Sequence, residues 1–269
     1  MARFDCNFTS YTLGRDVEID VLIPSMTILP VMAEKGKDFT HKPEHKFPVM
    51  YLLHGYANNR NSWFSYTNVA RYAEERRIAV VTVSAENKCY SYVGPDDFFG
   101  FISKELPDFV TSYFPVSERR EDTYIAGLSM GGFGTLLHGL SAPERFCAMG
   151  PLSSAPQIDP NNVNRQLVGK GLEGMPEVPH VTDCFKLAEK IKAEGKEFPK
   201  IYMACGCKDG LYDINVHMRD HLKELGADVT WDEMPEYAHE WPFWDEEIRR
   251  FLDWIPRTDY YATLEKTGV

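Results

Sequence analysis

Ser129 stands in Gly127-Leu128-Ser129-Met130-Gly131, a serine with a glycine two residues away on either side. A nucleophilic serine must have its hydroxyl lifted clear of the backbone, and a sharp strand-to-helix turn does this. Such a turn crowds the residues two places away against each other and against the sheet, and glycine relieves the crowding. The bare pattern arises by chance roughly one time in ten in a chain of this length, so its context decides. Thr123-Tyr124-Ile125-Ala126 reads as a buried strand, and Met130 onward, with Gly131-Gly132 and Gly134, reads as a closely packed helix. Both halves of the turn are therefore present.

A serine hydroxyl needs a base, and the base needs an acid to orient it, in the chain order serine, acid, histidine. Five of the eight histidines follow Ser129. His138 lies on the helix that Ser129 starts, and His180 falls in an irregular stretch. His217 and His221 are four apart on a helical face, a spacing that could hold a metal but lacks a third ligand, so an exposed face is expected and no metal site. His239 lies in Pro235-Glu236-Tyr237-Ala238-His239-Glu240-Trp241-Pro242, between the last strand and the last helix, and is the expected base. For the acid, Asp209 in Cys205-Gly206-Cys207-Lys208-Asp209-Gly210 follows a strand and is preferred. Asp213 competes, but falls where a helix should begin and suits an N-cap.

The tetrahedral intermediate of acyl transfer carries an oxyanion that preorganised N–H groups must meet. Met130, directly after Ser129 at the positive end of its helix, offers one N–H. Val49-Met50-Tyr51-Leu52-Leu53 ends at His54-Gly55-Tyr56, where the glycine allows a turn that presents the N–H of Tyr56. His54 is expected to be a structural hydrogen-bonder in that turn.

Positioning these groups falls to short apolar β-branched runs alternating with helical periods, the pattern of a mostly parallel sheet covered on both faces, an α/β fold. Expected strands are Glu18 to Ile23, Val49 to Leu53, Ala79 to Ser84, Thr123 to Ala126, Cys147 to Leu152, Lys200 to Ala204 and Asp228 to Glu233. Expected helices are Asn68–Arg77, Asp97–Tyr113, Met130–Leu140, Asp183–Glu194, Asn215–Leu225 and Trp244–Ile255. Ser25 to Phe47 reads as a surface excursion, and 155–181 as a cap-like insertion after the serine-bearing unit. One domain over 1–269 accommodates all of this.

With 29 basic against 40 acidic residues the formal net charge is −11, which argues against nucleic acid and anionic membranes as partners and for a small neutral ligand. A homo-oligomer stays open. The six cysteines lack the density of a disulfide scaffold and read as thiols in a reducing compartment. No signal-peptide or membrane-spanning run is apparent, so a cytoplasmic location is expected.

On Leu52-Leu53-His54-Gly55 followed by Asn58 to Trp63, on Ala126-Gly127-Leu128-Ser129-Met130-Gly131-Gly132, on Cys205-Gly206 with Asp209, and on His239 with Trp241 and Trp244, the chain resembles the esterase D and tributyrin-esterase group of α/β-hydrolases. That group includes S-formylglutathione hydrolases, carbohydrate acetyl and feruloyl esterases, and many bacterial enzymes. The resemblance implies an α/β-hydrolase fold, Ser129, Asp209 and His239 as triad, backbone donors at Tyr56 and Met130, and hydrolysis of short acyl esters without a cofactor. His54-Gly55-Tyr56-Ala57-Asn58 departs from the Ser-Gly-Leu-Thr-Cys usual in formylglutathione-specific members. Acyl transfer to an alcohol, a thioesterase and a non-catalytic binding protein of this fold are the alternatives. Trp63 and Trp241, with Trp244, are expected to narrow the acyl side of the pocket, and Tyr90, Tyr92 and Pro95 to form a wider polar rim on the alcohol side.

Overall fold

The computed structural model describes residues 1–26, 31–32, 38–93, 95–157, 183–264 and 266. In chain order the strands are β1 (Ala2–Ser10), β2 (Arg15–Ile23), β3 (Val49–Leu53), β4 (Ala79–Val83), β5 (Tyr92–Val93), β6 (Asp96–Asp97), β7 (Thr123–Leu128), β8 (Ala148–Leu152), β9 (Lys200–Gly206) and β10 (Val229–Met234). The helices are α1 (Ser62–Tyr66), α2 (Val69–Arg76), α3 (Leu106–Tyr113), α4 (Met130–Ser141), α5 (Cys184–Ala193), α6 (Tyr212–Glu224) and α7 (Trp241–Trp254). A helical turn at Phe98–Gly100 and a π-helical stretch at Phe101–Glu105 run into α3.

Eight strands join one sheet in the order β1-β2-β4-β3-β7-β8-β9-β10, and β5 and β6 make a separate antiparallel ribbon. β2 pairs antiparallel with β1 and β4. From β4 to β10 every pairing is parallel. Strands buried on both faces need apolar residues at every position, and β3, β4 and β8 are buried throughout. Alternate side chains then serve opposite faces. Met50, Leu52, Val80, Tyr124 and Ala126 meet Trp63, Val69, Ala73, Phe243, Ile248 and Phe251 from α1, α2 and α7. Val49, Tyr51, Leu53, Val81 and Ile125 meet Phe101, Leu106, Phe133, Leu137, Ala188 and Met218 from the other helices. The expected sheet with helices on both faces, and the α/β-hydrolase architecture, are what the chain adopts.

Several elements differ from the sequence reading, which did not expect α1 or the β5–β6 ribbon and began β2 three residues late, at Glu18. β1 escaped it because an edge strand has little to bury: Phe4 is 45% exposed, and only Ser10 of β1 is fully buried. α6 begins at Tyr212 and α7 at Trp241, each three residues earlier than expected. In α7 this puts Pro242 in the first turn, where its fixed φ and missing N–H cost nothing. The excursion 25–47 is described only in part, and the expected insertion lies, from 158 onward, outside the described residues, as does His180. No helix among the described residues is long and apolar enough to cross a membrane.

Candidate active site

Because β3, β7, β8, β9 and β10 are parallel, the residues just beyond their carboxyl ends share one edge of the sheet. His54-Gly55 follows β3, Ser129 follows β7, Ser153 follows β8, Asp209 follows β9 and His239 follows β10.

Ser129 has φ 54° and ψ −114°, a left-handed backbone that a serine adopts only at a cost of about 1–3 kcal/mol. The turn is held by its own N–H, which donates to the Leu152 carbonyl at 2.9 Å, and by the Phe133 N–H, which donates to the Ser129 carbonyl at 3.0 Å. Its flanking glycines are required by contact. A Cβ on Gly127 would lie 2.4 Å from the Gly131 carbonyl oxygen, and one on Gly131 would lie 2.3 Å from that of Leu53. Ser129 remains 8% exposed. Met130 opens α4, so its N–H has no carbonyl one turn back within the helix. Gly55 lies beside the same point: a Cβ there would be 3.6 Å from the Ser129 Cβ.

His239 donates its Nδ1–H to Oδ2 of Asp209 at 2.8 Å, the ring about one third exposed and the carboxylate almost wholly buried. That tautomer leaves the lone pair on Nε2. Oδ1 of Asp209 accepts the Leu211 N–H at 2.8 Å. Burial pushes the Asp209 carboxyl upward, but the bonds from His239 and the Leu211 N–H outweigh it and hold it below its ordinary value. Asp213 does not reach the histidine. It is an exposed residue in the first turn of α6, whose N-cap is Leu211 and not Asp213, because the α6 start is bound by the Asp209 side chain instead.

Ser153 was not foreseen. It follows a strand whose every residue is buried, and nothing in the sequence distinguishes it from the adjacent Ser154. Fully buried with φ 44°, it accepts the Trp244 indole N–H at 3.2 Å. The Trp244 ring in turn stands edge-on to His239, centroids 4.9 Å apart.

The family model described as "Putative esterase" matches residues 31–250. An acetyl esterase from Caldicellulosiruptor saccharolyticus is 33% identical over 275 residues, spanning 96% of this chain and 99% of the relative. The chain belongs to this esterase family. Among solved structures, the substrate-bound fluorophosphonate-binding serine hydrolase F of Staphylococcus aureus has a TM-score of 0.79 at 26% identity, covering 94% of this chain and 98% of that one. An S-formylglutathione hydrolase from the same organism has a TM-score of 0.77 at 25% identity, with the same coverage. The esterase is thus an α/β-hydrolase of serine-hydrolase type that acts on ester substrates.

In this esterase Trp63 does not face a pocket. It is fully buried, and its indole N–H donates to the Leu53 carbonyl at 3.0 Å, which corrects the expectation that it walls the acyl side. Trp241 is half-buried, edge-on to Trp63 and Trp244 and stacked on the exposed Tyr66 at 4.9 Å. Tyr90 is likewise buried instead of forming a rim, whereas Tyr92 and Pro95 are exposed. His217 is exposed and His221 half-buried, both against the Phe185 ring.

A second serine–histidine contact lies on the α4 flank. The Ser103 hydroxyl is 3.0 Å from His138 Nδ1, and His138 Nε2–H donates to the Tyr90 carbonyl at 3.0 Å. Burial lowers this imidazole to about 4, so it is a weak base, and Phe99 stacks on its face. Ser103 sits within the π-helical stretch and lacks the left-handed backbone of Ser129.

Proposed function

We propose that the esterase is a short-chain carboxylesterase, one α/β-hydrolase domain working without a cofactor, in which Ser129, His239 and Asp209 are nucleophile, base and acid. The observation that carries this reading is the 2.8 Å bond from His239 to Asp209 at the sheet edge where Ser129 is held in its strained turn.

The chemistry follows from that arrangement. As the Ser129 Oγ bonds to the acyl carbon, its proton passes to Nε2 of His239, and Asp209 stabilises the imidazolium. The carbonyl electron pair moves to oxygen, which the N–H groups of Tyr56 and Met130 receive. Each such donor is worth about 10²–10³ in rate. Collapse breaks the bond to the alcohol, which leaves with the proton from His239. Water, deprotonated by the same imidazole, then cleaves the acyl-enzyme to acid and free Ser129.

The motif residues favour the esterase D and tributyrin-esterase group, and the acetyl esterase relative favours small acyl groups. Trp241, propped by Trp63 and Trp244, is the side chain we assign to the acyl wall. The likeness to an S-formylglutathione hydrolase makes a thioesterase the second reading. Hydrolysis of p-nitrophenyl acetate, with S-formylglutathione and acetylated sugars as competitors, tests both. A kcat/KM higher for the thioester than for every oxygen ester would replace the first reading by the second, and no turnover of any would remove both.

A further inference from the structure

Three successive carbonyls at the end of β3 are each held by a side-chain donor. Trp63 Nε1–H donates to Leu53 at 3.0 Å, the Tyr90 hydroxyl to His54 at 2.9 Å, and the Nδ1–H of His54 to Gly55 at 2.7 Å. All three side chains are buried. The tautomer of His54 is set from its other side, where Nε2 lies 2.9 Å from the Ala85 N–H and can only accept. Burial lowers the imidazole to about 4, so it stays neutral and keeps this pattern at ordinary pH.

In a trans peptide the carbonyl and the following N–H point in opposite directions. The Gly55 carbonyl and the Tyr56 N–H form one such unit, and with no side chain on Gly55 an unanchored peptide could turn over at little cost. Resting on the nucleophile assignment above, we propose that His54 is a positioning residue that clamps the Gly55–Tyr56 peptide with its N–H turned toward the oxyanion beside Ser129.

The surrounding contacts support the clamp. Asn87 Oδ1 accepts the Ala57 N–H at 2.6 Å, and the Asn58 N–H donates to the Gly55 carbonyl at 3.3 Å. The loop that supplies Ala85, Asn87 and Tyr90 is left-handed at Glu86, Asn87, Cys89 and Tyr90, a shape that persists only when its surroundings hold it. His138 of α4 does so through the Tyr90 carbonyl. The helix that begins beside Ser129 thereby also braces the facing turn.

Two substitutions separate the two bonds of His54. His54→Gln leaves an acceptor near the Nε2 position for the Ala85 N–H but no donor for Gly55. His54→Asn leaves a donor near the Nδ1 position but none of the contact with Ala85. For His54→Gln we expect kcat on p-nitrophenyl acetate to fall about 10–100-fold with KM nearly unchanged, and affinity for a trifluoromethyl ketone to fall in parallel. His54→Asn, though less stable, should recover about tenfold of that kcat. Wild-type kcat in His54→Gln, or losses in both variants that follow only their Tm, would overturn the clamp. Should His54→Gln fail to fold, ¹⁵N spectra of histidine-labelled wild-type enzyme decide, since an Nε2–H tautomer at His54 is incompatible with the proposal. Ser129→Ala assayed alongside keeps the questions apart: activity in that variant removes the nucleophile assignment, whereas an inactive Ser129→Ala beside a fully active His54→Gln removes the clamp alone.

Discussion

Asp209 serves two donors at once, His239 Nδ1–H through Oδ2 and the Leu211 N–H through Oδ1, each at 2.8 Å. One carboxylate therefore orients the imidazole and secures the start of α6. In Asp209→Asn an amide N–H facing the ring would impose the wrong imidazole tautomer, and kcat should fall by about 10³–10⁴. Asp213→Asn removes only an exposed charge from the first turn of α6 and should cost about 0.3–1 kcal/mol of stability with kcat kept. Steady-state kinetics and urea unfolding of both variants check this, and the reverse ranking would assign the acid to Asp213.

Ser129→Ala and His239→Ala should each lower kcat by about 10⁴–10⁶, and the double variant should be little worse than either, because the two act as one unit. Ser103→Ala is the control, since its partner His138 is buried and engaged with Tyr90. It should stay within about twofold of wild type. Labelling by a fluorophosphonate should vanish in Ser129→Ala and persist in Ser103→Ala, and its survival in Ser129→Ala would redirect attention to Ser103.

Glu247 of α7 is fully buried, accepts the Tyr202 hydroxyl at 2.7 Å and lies 3.8 Å from Arg250. Burial, only partly countered by the Tyr202 bond, raises its carboxyl from 4.5 to about 7. An acid raised in the folded state is favourable while protonated, so its contribution is complete below pH 4.5 and is lost as pH rises through 7. The loss approaches about 3 kcal/mol. Glu247→Gln keeps an acceptor for Tyr202 without the charge, so it should match wild type near pH 4.5 and exceed it in Tm at pH 8. An equal Tm difference at both pH values would refute this.

Trp241 is held by Trp63 and Trp244 edge-on and by Tyr66 face-on. As an acyl wall it should favour acetate to butyrate esters, with kcat/KM falling by about one or two powers of ten over a few further carbons. Trp241→Ala should flatten that decline. Measurement over p-nitrophenyl esters from about two to twelve carbons decides, and an optimum at eight or beyond would exclude a narrow acyl pocket.

What the sequence determined by itself is what is encoded locally. Period-two apolar runs and helical periods yield the sheet and its helices, because each face must find apolar cover. The crowding of a serine turn makes Gly127 and Gly131 readable beside Ser129, and the order of strands places Asp209 and His239 at one edge once the sheet is parallel. Tertiary structure alone decided the rest. Asp209 is 30 residues from the histidine it orients, His54 is 31 from Ala85, and Tyr90 is 36 from His54. No spacing rule links such pairs. Trp63 showed the limit most plainly: in sequence it lies near the turn after β3 and looks like a pocket wall, yet it is spent inside the core, because an indole N–H buried there had to find a carbonyl and Leu53 supplied one. Ser153 likewise acquired its place behind Trp244 and His239 only when β8 came to lie between the strands that lead to Ser129 and Asp209.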